Sequence, residues 1–258
     1  GPHLCGMGGD LFALVHAPDG VVALNSSGRA GSGADPNALR AAGHTSMPLR
    51  HEIASVTVPG CVDGWLALHE RFGSLPLSEL FAPAIDLAEN GFSARPLLVA
   101  SLARLDTRGR EQLNEVVSQA THVGARVRRP GVAQALRDIA TGGRDAFYLG
   151  AFGEGLRRLG GGLFDVDDLR RSSADWVTPL VADAFGVRLH TIGPNSQGYL
   201  TLGSALVAGT VDLGSSDEGR WAHLLVESAK VAGFDRPAVL HEHADGEALL
   251  KTIRQRAH

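Results

Sequence analysis

Cysteine, methionine and aromatic residues are scarce: two Cys, two Met and 5% Phe, Trp and Tyr in 258 residues. Two cysteines do not make the disulfide framework of a small secreted scaffold. In a chain long enough to bury a sizeable core they read as reduced, buried thiols, with a Cys5–Cys61 bridge as the alternative. No apolar run approaches the roughly 20 residues that cross a bilayer. Positive charge is not in excess either. The 24 Lys and Arg against 28 Asp and Glu give a formal net charge of -4, which argues against a nucleic-acid partner. The cluster Arg126-Val127-Arg128-Arg129 is too short for a basic patch and reads as a solvated loop. A basic segment followed by an apolar one is missing from the start, so no signal peptide is visible; the compartment stays open, with the cytoplasm slightly favoured. Gly1-Pro2-His3 leads straight into structured-looking sequence, which fits either a missing preceding segment or a scar of tag removal. No Gly-Lys-Ser/Thr element occurs, and no serine, threonine or cysteine stands out as a nucleophile.

What is present is an ordinary globular composition, 44% apolar with 33 glycines, read as a single α+β domain over residues 1–258. Leu11 to Val15 and Val21 to Leu24 form a predicted hairpin around Pro18-Asp19-Gly20. A Gly- and Ala-rich loop from Ala30 to Gly43 and a short strand from Ile53 to Val58 follow. Helical spacing then dominates. One helix runs from Pro59-Gly60 to Phe72-Gly73, with Val62, Trp65, Leu66 and Leu68 on its apolar face. The next carries Leu80, Ala84, Ile85 and Leu87 and stops at Gly91. Further helices are expected over Leu97–Leu105, Glu111–Ala120, Val132–Thr141 and Phe152–Leu159, then a short one capped by Asp165. Two strands, Trp176–Ala184 and Val187–Ile192, precede the loop Gly193-Pro194-Asn195-Ser196-Gln197-Gly198. Helices over Tyr199–Ala208, Gly219–Phe234 and Gly246–Arg256 close the chain.

Four features invite a chemical reading. Gly6-Met7-Gly8-Gly9 precedes a strand instead of following one, so it fits close backbone packing and not a phosphate loop. Ser196 lies on a strand-to-helix turn, but Pro194 replaces the first glycine of a nucleophile elbow, which leaves Asn195, Ser196, Gln197 and Gly198 as a loop that shapes a site. His241-Glu242-His243 with Asp245 would need further converging ligands to hold a metal, and is read as solvated, so no metal is expected there. Arg29, flanked by Ser26, Ser27, Gly28 and Gly31, stands past a strand end with little crowding. Its rigid two-pronged donor suits either a structural salt bridge or a substrate carboxylate.

Six stretches in order resemble the gamma-glutamyltransferase family of N-terminal-nucleophile (Ntn) hydrolases. They are Gly6-Met7-Gly8-Gly9-Asp10-Leu11-Phe12, Val58-Pro59-Gly60-Cys61-Val62-Asp63-Gly64-Trp65, and Phe81-Ala82-Pro83-Ala84-Ile85-Asp86-Leu87-Ala88 with Gly91-Phe92. Gly143-Arg144-Asp145-Ala146-Phe147-Tyr148, Gly161-Gly162-Leu163 through Asp168-Leu169, and Pro194-Asn195-Ser196-Gln197-Gly198 complete the set. The resemblance implies a four-layer α-β-β-α sandwich, of which this chain is the helix-rich large-subunit half. It also implies a precursor that cuts itself once, exposing a threonine on a separate small subunit. No catalytic nucleophile is then expected in this chain, which ends without a Thr-Thr-His segment. The hydroxyl of that threonine attacks a γ-glutamyl amide and its α-amine acts as base. The partners implied are the small subunit and a small amino-acid-derived substrate. Arg29 occupies the position of the family's α-carboxylate-binding arginine. Many relatives carry Phe-Arg-Glu where this chain has Gly28-Arg29-Ala30, so a wider and less acidic site is expected. The donor is left open among γ-glutamyl compounds, cephalosporin or glutaryl amides and natural-product intermediates.

Overall fold

Alternating side chains build the first hairpin. Leu11–Ala17 pairs antiparallel with Gly20–Ser26 from Leu11↔Ser26 to Ala17↔Gly20, across a turn of Pro18 and Asp19. Phe12, Leu14 and His16 are exposed while Leu11, Ala13 and Val15 are half-buried, the period of two that a half-covered strand shows. The second strand also pairs with Asp175–Val177, giving a three-stranded antiparallel sheet. Leu180–Ala184 and Val187–Thr191 form a separate hairpin. The single strand expected over Trp176–Ala184 is thus two, divided at Pro179, whose missing N–H interrupts a ladder.

The computed structural model describes residues 5–48, 51–214 and 217–256. The opening Gly1-Pro2-His3 and the closing Ala257-His258 lie outside the described residues. Two units share the chain, residues 1–10 with 28–173 and residues 11–27 with 174–258.

The first unit is helical. Its core joins Val58, Val62, Ile139, Phe147, Tyr148, Leu156, Phe164 and Leu169. Val62 belongs to the helix Cys61–Phe72, and Ile139, Phe147 and Tyr148 to the helix Pro130–Tyr148, which also packs on Leu77–Asn90. Gly91 ends Leu77–Asn90 at φ 94°, its N–H on the Leu87 carbonyl, as a C-terminal cap should. The expected Val132–Thr141 helix runs on to Tyr148 through a kink at Gly143, where φ is 61°. Glu111–Ala120 is instead two short helices, Thr107–Gln112 and Asn114–Val117. In the second unit, Leu180, Tyr199, Leu202, Val207, Leu250 and Ile253 pack among the helices Gly198–Ala208, Glu218–Gly233 and Gly246–Arg256.

Other expectations need correction. The Ala30–Gly43 loop contains the helix Pro36–Ala41, begun by Asp35, whose carboxylate accepts from the backbone of Asn37 and Ala38. Ile53–Val58 is no strand: Ile53–Ser55 is a 3₁₀ turn, and Val58 makes only an isolated bridge with Arg29. Arg126 and Arg128 are exposed as expected, but Arg126 and Val127 form a strand paired with Phe92 and Ser93 instead of a loop, and Val127 is buried. Cys61 is buried as expected, whereas Cys5 is exposed, and both are free thiols. The glycine cluster is not tightly packed at Gly6 or Gly8, where a side chain would meet open space.

Candidate functional site

Gly28 sets the approach to Arg29. Its φ of 76° favours glycine, and a Cβ there would stand 2.1 Å from the Val58 carbonyl oxygen. The chain can therefore run against Val58, and the Val58 N–H donates to the Arg29 carbonyl at 2.8 Å. Glycine at position 28 is a backbone requirement of this segment. The half-buried Arg29 side chain donates through a terminal guanidinium nitrogen to the Ser172 carbonyl at 2.6 Å.

Asp63, Arg144 and Tyr148 lie in the family-like stretches of the sequence, which assign them no role. Asp63, with 1% of its side chain exposed, accepts the Ser173 N–H at 2.7 Å. Arg144 Nε stands 2.8 Å from Asp63 Oδ1 as an ion pair, at an angle outside hydrogen-bond geometry. The same guanidinium donates to the Arg171 carbonyl at 2.8 Å and lies 4.4 Å over the Tyr148 ring. The Tyr148 hydroxyl donates to the Pro59 carbonyl at 2.6 Å and accepts the Asp63 N–H at 3.2 Å. Burial pushes the Asp63 carboxyl above its ordinary range, and the Ser173 N–H and Arg144 pull it partly back. Burial, and then the Asp63 charge, push the Tyr148 phenol up. The signal available in the sequence was an acid in the first turn of a helix whose neighbours Val62 and Trp65 are apolar.

The Asn195–Gly198 loop belongs to the second unit. Asn195 bonds the Ser27 hydroxyl, at 3.0 Å from its amide nitrogen, and its carbonyl accepts from Asn25 at 3.2 Å. Ser196 Oγ accepts the Gly198 N–H at 3.0 Å, a turn-forming bond at the start of the following helix. Gly198 packs where a Cβ would meet Thr191 Oγ1 at 1.9 Å, and Gln197 is exposed. His241 and His243 are tied in a local turn, the His243 N–H donating to His241 Nδ1 at 3.2 Å. Among the described residues no three His, Cys, Asp or Glu side chains are grouped to hold a metal ion, and no helix is long and apolar enough to cross a membrane.

A cavity of about 820 Å³ opens in the first unit, lined by Met7, Trp65, Leu136, Phe147 and Phe152 among others, and not by Arg29. Its wall is mainly apolar, and Arg129, the one arginine among its described lining residues, is paired with Glu115 at 2.8 Å.

The fold is that of solved gamma-glutamyltranspeptidase and acylase Ntn-hydrolases. The crystal structure of gamma-glutamyltranspeptidase from Helicobacter pylori matches with a TM-score of 0.85 at 25% identity, over 100% of this chain and 80% of that one. Cephalosporin acylase from Bacillus halodurans matches with a TM-score of 0.86 at 28% identity, over 98% of this chain and 51% of that one. The chain belongs to the gamma-glutamyltranspeptidase family, whose sequence model matches residues 1–255. It is 30% identical to the glutathione hydrolase-like YwrD proenzyme of Bacillus subtilis, over 98% of this chain and 50% of that protein. It is 32% identical to the oxamate amidohydrolase proenzyme of Klebsiella pneumoniae, over 90% of this chain and 46% of that one. The chain thus spans about half the length of these relatives.

Proposed function

We propose that residues 1–258 act as one domain, the large-subunit part of an autoprocessed gamma-glutamyltransferase-like enzyme. A threonine at the start of a separate small subunit attacks the γ-amide carbonyl of the donor, with its own α-amine taking the hydroxyl proton. The acyl group passes to water or an acceptor amine, and backbone donors stabilise the oxyanion. This chain contributes Arg29, which grips the donor's α-carboxylate, and the Asn195–Gly198 loop, which shapes the site. The chemistry needs no metal and no organic cofactor. Family membership supports the reaction class, and the word proenzyme in the relatives' names supports processing.

The observation that carries the reading is the anchored Arg29 guanidinium. An arginine–carboxylate bond is worth about 1.5–3 kcal/mol, so Arg29→Ala is expected to lower kcat/KM roughly ten- to a hundredfold in the processed two-chain enzyme. Release of p-nitroaniline from γ-glutamyl-p-nitroanilide measures this; an unchanged kcat/KM removes Arg29 from the site. N-terminal sequencing of the co-purifying chain tests the nucleophile, which is expected to be threonine. Any other first residue favours a protein that only binds an amino acid or peptide.

A second reading, hydrolysis of a different small acid amide, is favoured by Gly28 and Ala30 beside Arg29 and by the likeness to an oxamate amidohydrolase and a cephalosporin acylase. Correctly processed enzyme that releases no p-nitroaniline from the γ-glutamyl donor, yet cleaves a glutaryl amide, supports it.

A further inference from the structure

We propose that Asp63 and Arg144 are positioning residues for Arg29, acting through the backbone of residues 171–173. This rests on the carboxylate-binding reading of Arg29 and names what holds that side chain in place.

Three consecutive residues are held by three different side chains. The Arg171 carbonyl accepts from Arg144, the Ser172 carbonyl accepts from Arg29, and the Ser173 N–H donates to Asp63. Arg144 and Asp63 are paired with each other, so the outer two bonds belong to one ion pair and the middle one to Arg29. The middle carbonyl cannot shift without disturbing bonds on both sides. It in turn fixes one edge of the Arg29 guanidinium, a planar group whose donors work only in the right orientation. The pair is itself supported. Tyr148 lies under the Arg144 guanidinium, and its hydroxyl bridges the Pro59 carbonyl and the Asp63 N–H. That bridge ties the clamp to the start of the helix Cys61–Phe72, next to Val58, which bonds the Arg29 backbone. Main chain and guanidinium of Arg29 are thereby referred to the same frame. A buried ion pair is weak support for stability as such, since desolvation offsets attraction; positional specificity is the use this arrangement supplies.

The test uses the processed two-chain enzyme with two donors, γ-glutamyl-p-nitroanilide and 4-aminobutanoyl-p-nitroanilide, which is the same donor without its α-carboxylate. The readout is the ratio of their kcat/KM values. Arg29→Ala is expected to lower this ratio roughly ten- to a hundredfold. Asp63→Asn and Arg144→Gln are each expected to lower it about three- to tenfold through KM, with kcat for the γ-glutamyl donor within about twofold. In the Arg29→Ala background neither is expected to change it, because groups acting through one side chain are not additive. Arg144→Lys, which keeps the charge but lacks the fork, serves if the other variants fail to fold, and is expected to lower the ratio likewise.

Folded variants that leave the ratio intact overturn the proposal. So do variants that lower both donors equally, the mark of a merely structural role. An intact ratio in Arg29→Ala overturns the carboxylate reading itself, a result distinct from the first two.

Discussion

At the scale of single residues, burial decides which groups react. Cys61 is buried, and desolvation, with the charges of Asp10 and Cys5 behind it, pushes its thiol up to about 11. At pH 8 roughly one Cys61 in a thousand is then thiolate, the form that attacks electrophiles. Iodoacetamide at pH 8 is expected to modify the exposed Cys5 and to reach Cys61 only after unfolding, as peptide mass mapping will show. Gly28 is a second position where the residue itself is the requirement. A methyl group there meets the Val58 carbonyl and holds an unfavourable φ, so Gly28→Ala is expected to destabilise by at least the ~1 kcal/mol of a left-handed alanine. A fall in Tm of more than about 2 °C in a melting curve checks it. Arg29 was singled out from its small neighbours and its likeness to a family position, whereas Asp63 was not. Small neighbours are local facts, but the burial of an acid depends on what packs over it. Here that is Tyr148, Arg144 and Ser173, all more than 80 residues away in sequence.

Individual elements show the same division. The first hairpin and the helix Cys61–Phe72 are legible because alternation, helical spacing and a glycine stop lie within a few residues. The strand Arg126–Val127 is not, because its partner, Phe92–Ser93, lies far off in the chain and two residues carry no period. The helix Pro36–Ala41 had an Asp-Pro start that glycine and alanine content concealed. The short helix Val166–Arg170 was placed correctly by Asp165, and the structure gives it a full capping box with Asp168. Asp165→Ala is expected to destabilise by about 1 kcal/mol in chemical denaturation. Asp168 also accepts from the Ser32 N–H and hydroxyl. Slight burial raises its carboxyl, but the hydrogen bonds from Ser32 and Asp165 outweigh this and hold it below its ordinary range. A lowered folded-state pKa contributes stability above the unfolded value of about 4, and that stability is lost as pH falls through the folded one. Melting curves below pH 4 are expected to fall less steeply for Asp168→Asn than for the parent.

Across the whole molecule, the three-stranded sheet leaves Phe12 and Leu14 more than 40% exposed on one face. In the two-chain enzyme proposed above, this face is the surface on which the second chain would pack. On that proposal, Leu14→Glu is expected to reduce recovery of the second chain in a pull-down on tagged residues 1–258. Residues 1–258 alone should melt at an unchanged temperature. The clamp on Arg29 has a consequence for the order of assembly. Its bond to Ser172 closes a loop of 143 residues, and the Asp63–Ser173 bond one of 110. Shutting a loop ten times longer costs only about 2 kcal/mol more, yet nothing nearby can hold these ends together in advance. Protection of the Ser173 amide in pulse-labelled refolding should accordingly lag behind that of the hairpin amides. The Arg29 side chain is then among the last pieces set, and a nascent polypeptide can fix it only once synthesis has passed Ser173.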